Sequence, residues 1–399
     1  MQHQLRRLRL LVRASRDDKD GRIAVTELVM DLLAALCEPR PIRAFIREKV
    51  ELLAYLAVGH AAQQGAKYVV QSRTEYAGFL RKSFLGGAIV AVFACLKIHL
   101  SHEAIPPLPQ ALVYGLNYAV CFVLIYLFGA TLATKQPALT ASRLARALED
   151  GKEHEDFALL VRSIWQSQFI SFVGNICGAA LVAGAIAWLF HVAFGFDLVS
   201  EGEALKLASK HAPFASGALW YAAIAGVFLS SAGFLAGFVD NAVVFHRVGE
   251  RVAAGTGVFR HLSATSRTKL AGTVGHAFGA VSGNVVLGFM LGSAGAIGAM
   301  LGLPIDIRHI AFSSSHTTLA VIHADGLQTA GHIATLLAAV LLIGIINFLV
   351  SFGMTLWVAI AARDIEGIDW RAQLRSLGRL IRSHPAQFFI PLRSQSSDE

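Results

Sequence analysis

The sequence predicts an all-α fold, a polytopic membrane helix bundle, and three observations carry that expectation. Only 16% of the 399 residues are charged, 55% are hydrophobic and mean hydropathy is +0.55, whereas soluble domains carry about 25% charged residues. The apolar residues gather in six blocks, each near the roughly 20 residues needed to cross about 30 Å of hydrocarbon. Lys and Arg, finally, alternate between the connecting segments, as they do when every second loop is cytoplasmic.

Residues 1–83 form a cytoplasmic helical region. Leu28, Leu32, Leu33 and Leu36 recur at helical spacing, "EPRP" at Glu38–Pro41 interrupts them, and a second amphipathic pattern runs from Ile42 to about Val70. This is a platform by size, not a catalytic domain. The transmembrane bundle occupies 84–361, with spans at 84–100, 110–133, 168–194, 216–239, 276–302 and 333–360. Lys97 interrupts the first span near its end, where a lysine stem can lie in lipid while its ammonium reaches the interface. Loop 134–167 holds a short helix with Leu139, Leu144, Ala147 and Leu148 on one side, expected on the cytoplasmic face. The tail 362–399 is basic and amphipathic. It places Trp370, Leu374, Leu377 and Ile381 on one face and Arg371, Arg375, Arg379 and Arg382 on another, a pattern suited to the headgroup boundary or, through sequence-independent charge, to DNA.

Lys and Arg counts set the orientation. The segment before the first span has 15, loop 134–167 five, loop 240–275 five and the tail six, against none in 101–109, two in 195–215 and one in 303–332. Both termini are therefore expected in the cytoplasm. The net charge of +8 does not by itself imply nucleic acid, since most of it follows from this pattern and from attraction to anionic lipid headgroups. The stretch "MQHQLRRLRLLVRAS" lacks an apolar signal core and reads as mature chain. Cys37, Cys95, Cys121 and Cys177 show no CxxC spacing, and the last three lie in spans, so neither a disulfide framework nor a cysteine metal site is expected.

Inside the spans, small residues fall at four-residue spacing: Gly174 and Gly178; Gly233 and Gly237; Gly275, Gly279 and Gly283; Gly288 and Gly292. Such spacing lets helix backbones approach closely, and it predicts a centre packed from the third, fourth and fifth spans. Asn175 and Asn284 lie about 12 Å deep at about 1.5 Å per residue, and Asn347 nearer the middle of the sixth span. With Asp240 and Asn241 they form a candidate intramembrane polar site. Interhelical hydrogen bonding and a polar pathway are both open for them.

"GLPIDIRHIAFSSSH", Gly302–His316, follows the fifth span. Proline ends the helix, and Asp306 stands two residues before Arg308, close enough for an ion pair at a turn. Asp306, Arg308, His309, Ser313 and Ser314 form a candidate functional motif, read first as a structural elbow. No activated nucleophile accompanies them, so no catalytic residue is assigned. Eight of the fifteen histidines lie at or near the non-cytoplasmic side: His99, His102, His191, His211, His309, His316, His323 and His332. His309, His316 and His323 repeat every seven residues, but their Cα atoms would stand about 10 Å apart on a helix, too far for two to share one metal unaided. The segment containing them is too polar for a further span. A re-entrant or interfacial helix is expected.

"EYAGFLRKSFLGG" (75–87), "TLATKQPALTA" (131–141), "GFVDN" (237–241) and "GNVVLGFMLGSAGAIGAMLGLPIDIRHIAFSS" (283–314) resemble a bacterial membrane-protein family labelled site-specific recombinase, over roughly residues 60–360. The resemblance implies DNA strand exchange. The residues give it no support: none of Tyr55, Tyr68, Tyr76, Tyr114, Tyr118, Tyr126 and Tyr221 follows Arg308-His309, and Ser15 and Ser72 lie in short helical segments. Two functions stand, a non-enzymatic membrane transport or scaffold protein and a membrane-associated recombination factor. No cofactor or metal is implied. The lipid bilayer is the expected partner, while self-assembly, DNA contact and an ion or small-molecule ligand stay open.

Overall fold

The computed structural model describes residues 2–15, 18–37, 72–132, 137–149, 154–363, 365 and 367–391, and every regular element among them is helical. The chain divides into two compact units, Met1–Lys49 and Val50–Glu399. In the first, α1 (Gln2–Ala14) packs on α2 (Lys19–Cys37), burying Leu10 and Ala24. The Asp18 carboxylate accepts the Gly21 N–H at 2.7 Å and caps α2. Leu32 and Leu33 stay exposed. The Leu36 side chain, Tyr55, Tyr68 and the pattern expected from Ile42 to Val70 lie outside the described residues.

The second unit contains α3 (Arg73–Ser101), α4 (Pro107–Leu127), α5 (Pro137–Glu149), α6 (His154–Phe194), α7 (Glu201–Ser209), α8 (Ala218–Phe245), α9 (Val248–Ala253), α10 (Ala264–Leu301), α11 (Ile310–His323), α12 (Ala330–Ala361) and α13 (Trp370–Ser383). Six of these, α3, α4, α6, α8, α10 and α12, are long and apolar enough to cross a membrane. The protein is an all-α membrane helix bundle.

Several helices begin well before their apolar blocks. Ser72 accepts the Glu75 N–H at 3.1 Å and Ser263 the Ser266 N–H at 3.2 Å, so α3 and α10 start at their caps, about three turns ahead of residues 84 and 276. Hydropathy marks where a helix meets lipid; the cap marks where the backbone starts to coil. α4 instead ends early, before Gly129, whose φ of +61° turns the chain so that Thr131 N–H reaches Lys82 O at 3.0 Å.

The most extensive helix contacts join α3 to α6 and α4 to α10, with α8 lying against both α10 and α12. The centre is thus not assembled from the third to fifth spans alone: the third span packs chiefly on the first, and the fifth on the second and fourth. Glycines allow each approach. A methyl group at Gly288 would overlap the backbone of Tyr118 and Ala119, one at Gly292 that of Tyr114, and one at Gly178 that of Phe84. Gly283 faces the Ala236 side chain and Ala232 O, Gly279 faces Asp240, and Gly275 faces open space.

On the opposite side, α5 packs against α12, with Ala145 fully buried beside Ala359 and Leu144 nearly so, and Arg363 pairs with Glu149. Ala147 and Leu148 are half-buried, and the Leu139 side chain lies outside the described residues. Helix α13 lies on α6, but the face it turns inward carries Gln373 and Ser376. Trp370, Leu374 and Ile381 remain exposed, as do Arg371, Arg375, Arg379 and Arg382.

Helix α11 has only 14 residues, and Ile310 to Ser315, Thr317, Leu319 and Ala320 are buried among α3, α6, α7 and α12. It is a buried, non-spanning helix between the fifth and sixth spans. Its polar composition fits that place because the hydroxyls bond along their own helix: Ser314 to Ile310 O at 2.9 Å, Ser315 to Ala311 O at 3.2 Å, Thr317 to Ser313 O at 2.9 Å and Thr318 to Ser314 O at 2.8 Å.

Candidate functional site

The site begins where α10 stops. Gly302 takes φ +64°, its N–H reaches Ala299 O, and Leu303 N–H reaches Gly298 O at 2.9 Å; these are the paired bonds of a left-handed glycine closing a helix. Residues 303–309 then run without helix against α8 and α10. The Trp220 indole donates to Pro304 O at 3.3 Å, and a methyl at Gly298 would overlap the Ile305 backbone. Buried backbone outside a helix needs internal partners, and Arg308 N–H finds one in Tyr221 O at 3.3 Å.

Asp306 and Arg308 pair at 2.7 Å between Oδ2 and Nη1. Asp306 Oδ1 also accepts the Ile307 N–H at 2.8 Å. Arg308, 9% exposed, donates through Nη1 to Ile307 O at 2.7 Å and through Nε to Lys210 O at 3.1 Å, and its guanidinium carbon lies 5.3 Å from the Tyr221 ring centre. Burial acts to raise the Asp306 carboxyl. The Arg308 charge, the hydrogen bonds from Arg308 and Ile307 and the Lys97 charge together outweigh it and hold that carboxyl below the ordinary aspartate value. Asp306→Asn and Arg308→Gln should therefore each lower the melting temperature, and the double variant should lose less than the sum, with a coupling of about 1–2 kcal/mol. Additive losses in a double-mutant cycle would show that the pair is not coupled.

Asn347, fully buried in α12, holds the far end of this segment. Its Nδ2 donates to Ala222 O and Arg308 O, both at 2.8 Å, and its Oδ1 accepts the Ile310 N–H at 3.2 Å. It thereby caps α11 from another helix, since His309, the residue before α11, makes no side-chain cap.

These elements enclose one side of an open cavity of about 380 Å³ between the C-terminal turns of α3 and α10, the start of α4, the end of the α7 segment, and α11. Lys97 reaches into it with Nζ 5.1 Å from the Tyr114 ring centre and 4.9 Å from that of Tyr118. Lys97 thus lines the cavity and lies over two aromatic faces, a cation–π arrangement, rather than only extending toward the interface. Tyr118 stacks on Phe312 with centroids 4.0 Å apart. His211 and His316 meet edge to face at 5.7 Å.

His211 Nδ1 lies 2.7 Å from Leu207 O. A carbonyl only accepts, so Nδ1 carries the proton and neutral Nε2 is left as an acceptor. Burial, followed by the Arg308 charge, pushes the His211 pKa down to about 4. An unfolded histidine titrates near 6.5, so the unfolded chain binds the extra proton first. Wild-type stability should fall as pH drops from about 6.5 to about 4, by up to about 3 kcal/mol. His211→Gln should make the fall in melting temperature over that window shallower, the rest of the slope coming from His316 and His323, whose pKa values burial also lowers, and an unchanged slope would refute the assignment.

The candidate polar residues do not converge. Asn175 donates to Ser83 O at 2.6 Å and Thr131 O at 3.0 Å, bonding α3 and the chain after α4 to α6. Asp240 accepts the Gly279 N–H at 3.0 Å, Asn284 is buried in α10, and Asn241 is half-buried. Only Asn347 joins the 306–316 segment. Within that segment Asp306, Arg308, His309 and Ser313 line the cavity, while Ser314 bonds within α11. The repeated histidines separate as well: His316 meets His211, whereas His323 and His191 approach Asp197 at 3.8 Å and 2.9 Å. Among the described residues no cluster of three His, Cys, Asp or Glu is placed to hold a metal ion. Sequence reasoning missed Lys97, Tyr114, Tyr118 and His211 as one lining. The available signal was a lysine within an apolar block, which marks a site more often than a defect.

The architecture and the site define a polytopic membrane protein with a charged cavity near one end of an apolar bundle. The chain belongs to the site-specific recombinase family, whose model matches residues 1–391. No curated protein matches it.

Proposed function

We propose that the protein is a ligand-handling membrane bundle, with a transport or scaffold role and no strand-exchange chemistry, set in a bacterial inner membrane with both termini cytoplasmic. The cavity carries this reading. Its volume of about 380 Å³ falls in the range of small-molecule pockets, about 300–1,000 Å³, whereas duplex DNA has a major groove alone about 12 Å wide. The Tyr118 hydroxyl is buried and so is not presented to a scissile phosphate, while Tyr221 offers its ring face to Arg308. The lipid bilayer is the partner of the six apolar helices, and the exposed Trp370, Leu374 and Ile381 beside arginines suit a headgroup boundary.

Purified protein mixed with supercoiled DNA should leave strand connectivity unchanged. A change that Arg308→Gln abolishes would overturn the proposal in favour of the activity the family name implies. For orientation, a membrane-impermeant thiol reagent added outside should label Lys206→Cys and spare Ala264→Cys in a background lacking Cys37 and Cys177. The reverse pattern would invert the topology.

A further inference from the structure

The cavity's chemistry narrows what it would hold, granted that it is a ligand site. Lys97, Lys210 and Arg308 line it, and Asp306 is the only carboxylate among the described lining residues. Asp306 is taken by Arg308 at 2.7 Å and by the Ile307 N–H. Lys97 has no hydrogen bond and no ion pair within 4 Å among the described residues; its ammonium meets only the two tyrosine faces. The lining therefore carries positive charge in excess, which a ligand anion balances.

Three buried lining groups lack a protein partner and differ in what they require. The Tyr118 hydroxyl and Ser313 Oγ can each donate, whereas His211 Nε2, its Nδ1 proton committed to Leu207 O, can only accept. Tyr118 is fully buried, and His211 and Ser313 are each 1% exposed. Buried polar atoms without partners are uncommon in folded proteins. An anion bearing its own hydroxyl answers all of them: two carboxylate oxygens for Lys97 and the protein hydroxyls, and one O–H for His211. Phosphate fits less well, because Arg308, the group suited to bidentate contact, has already committed Nε and Nη1 to protein oxygens.

We propose that the cavity binds a small hydroxycarboxylate, with Lys97 holding the carboxylate and His211 Nε2 accepting the ligand hydroxyl. The test is calorimetric titration of the full chain in lipid nanodiscs with lactate and malate, with propionate and succinate as the matching acids without hydroxyl, and with lactamide and inorganic phosphate. Lactate or malate should bind about tenfold more tightly than its deoxy counterpart, and lactamide should not bind. Lys97→Met should abolish binding while Lys97→Arg retains it within a few-fold, and His211→Phe should reduce the hydroxyl preference to near unity. Melting curves of the empty variants report whether each has folded.

Equal binding by wild type and a folded Lys97→Met, binding of phosphate alone, or no binding by any acid at millimolar concentration overturns the proposal. If a neutral or cationic compound then binds and a folded His211→Phe loses it, only the ligand class is wrong. If no compound binds and the protein rejoins DNA strands, the ligand-handling reading falls too.

Discussion

Asn347→Leu should leave little folded protein in the membrane, although leucine matches asparagine in size and suits an apolar helix. The amide joins Ala222 O, Arg308 O and the Ile310 N–H, three backbone groups on two other elements. Arg308 O and the Ile310 N–H would remain buried without this partner, while Ala222 O keeps its bond within α8. A buried polar group stripped of its bond costs about 1–3 kcal/mol, so the combined loss of the two is about 2–6 kcal/mol. Asn347→Asp should fare no better, because a carboxylate would confront two carbonyl oxygens. Leu349→Ala, on an exposed part of the same helix, is the control. Wild-type yield and melting temperature in Asn347→Leu would mean that α11 is held by packing alone.

Gly288→Leu and Gly292→Leu should be comparably severe. Here the obstacle is main chain: even a methyl would overlap the backbone of Tyr118 and Ala119 or of Tyr114, and a helix backbone cannot rotate aside as a side chain can. Overpacking a core usually costs about 1–3 kcal/mol, and parting α4 from α10 lies at or beyond the upper end. Gly283→Leu should be milder, since the Ala236 side chain is the nearest obstacle, and Gly275→Leu should resemble wild type, since no heavy atom lies within 4 Å. Thermal denaturation of the four variants checks the ordering. A Gly288→Leu protein as stable as Gly275→Leu would contradict the close α4–α10 crossing.

The helices were legible because lipid imposes a length on any segment that crosses it, and each of the six apolar blocks satisfies that constraint. Their ends were less so. Caps such as Ser72 and Ser263 lie outside the apolar windows, and the coil follows the cap. The Asp306–Arg308 pair was readable from two-residue spacing at a turn. The rest of the cavity was not, because Lys97, His211 and His316 meet across more than a hundred residues of sequence and no local period announces it. The burial of helix α11 escaped for another reason. Its serines and threonines make the segment look wet, yet the hydroxyls of Ser314, Ser315, Thr317 and Thr318 are satisfied within the helix, so composition spoke against lipid and said nothing about burial inside protein. Asn347 was visible as a polar residue in a span, but its three partners are tertiary.

The self-bonded hydroxyls of α11 make that helix a cartridge. Ser314, Ser315, Thr317 and Thr318 each carry their acceptor along with them, so a shift of the whole helix would break none of those bonds. The polar fastening at its leading end is the Asn347 latch on Arg308 O and Ile310 N–H, one amide on a neighbouring span. Release there would move Ser313 and His316, both in the cavity wall, as a unit. Asn347 is thus one polar fastening that such a shift must break, beside the burial of Ile310, Phe312 and Leu319.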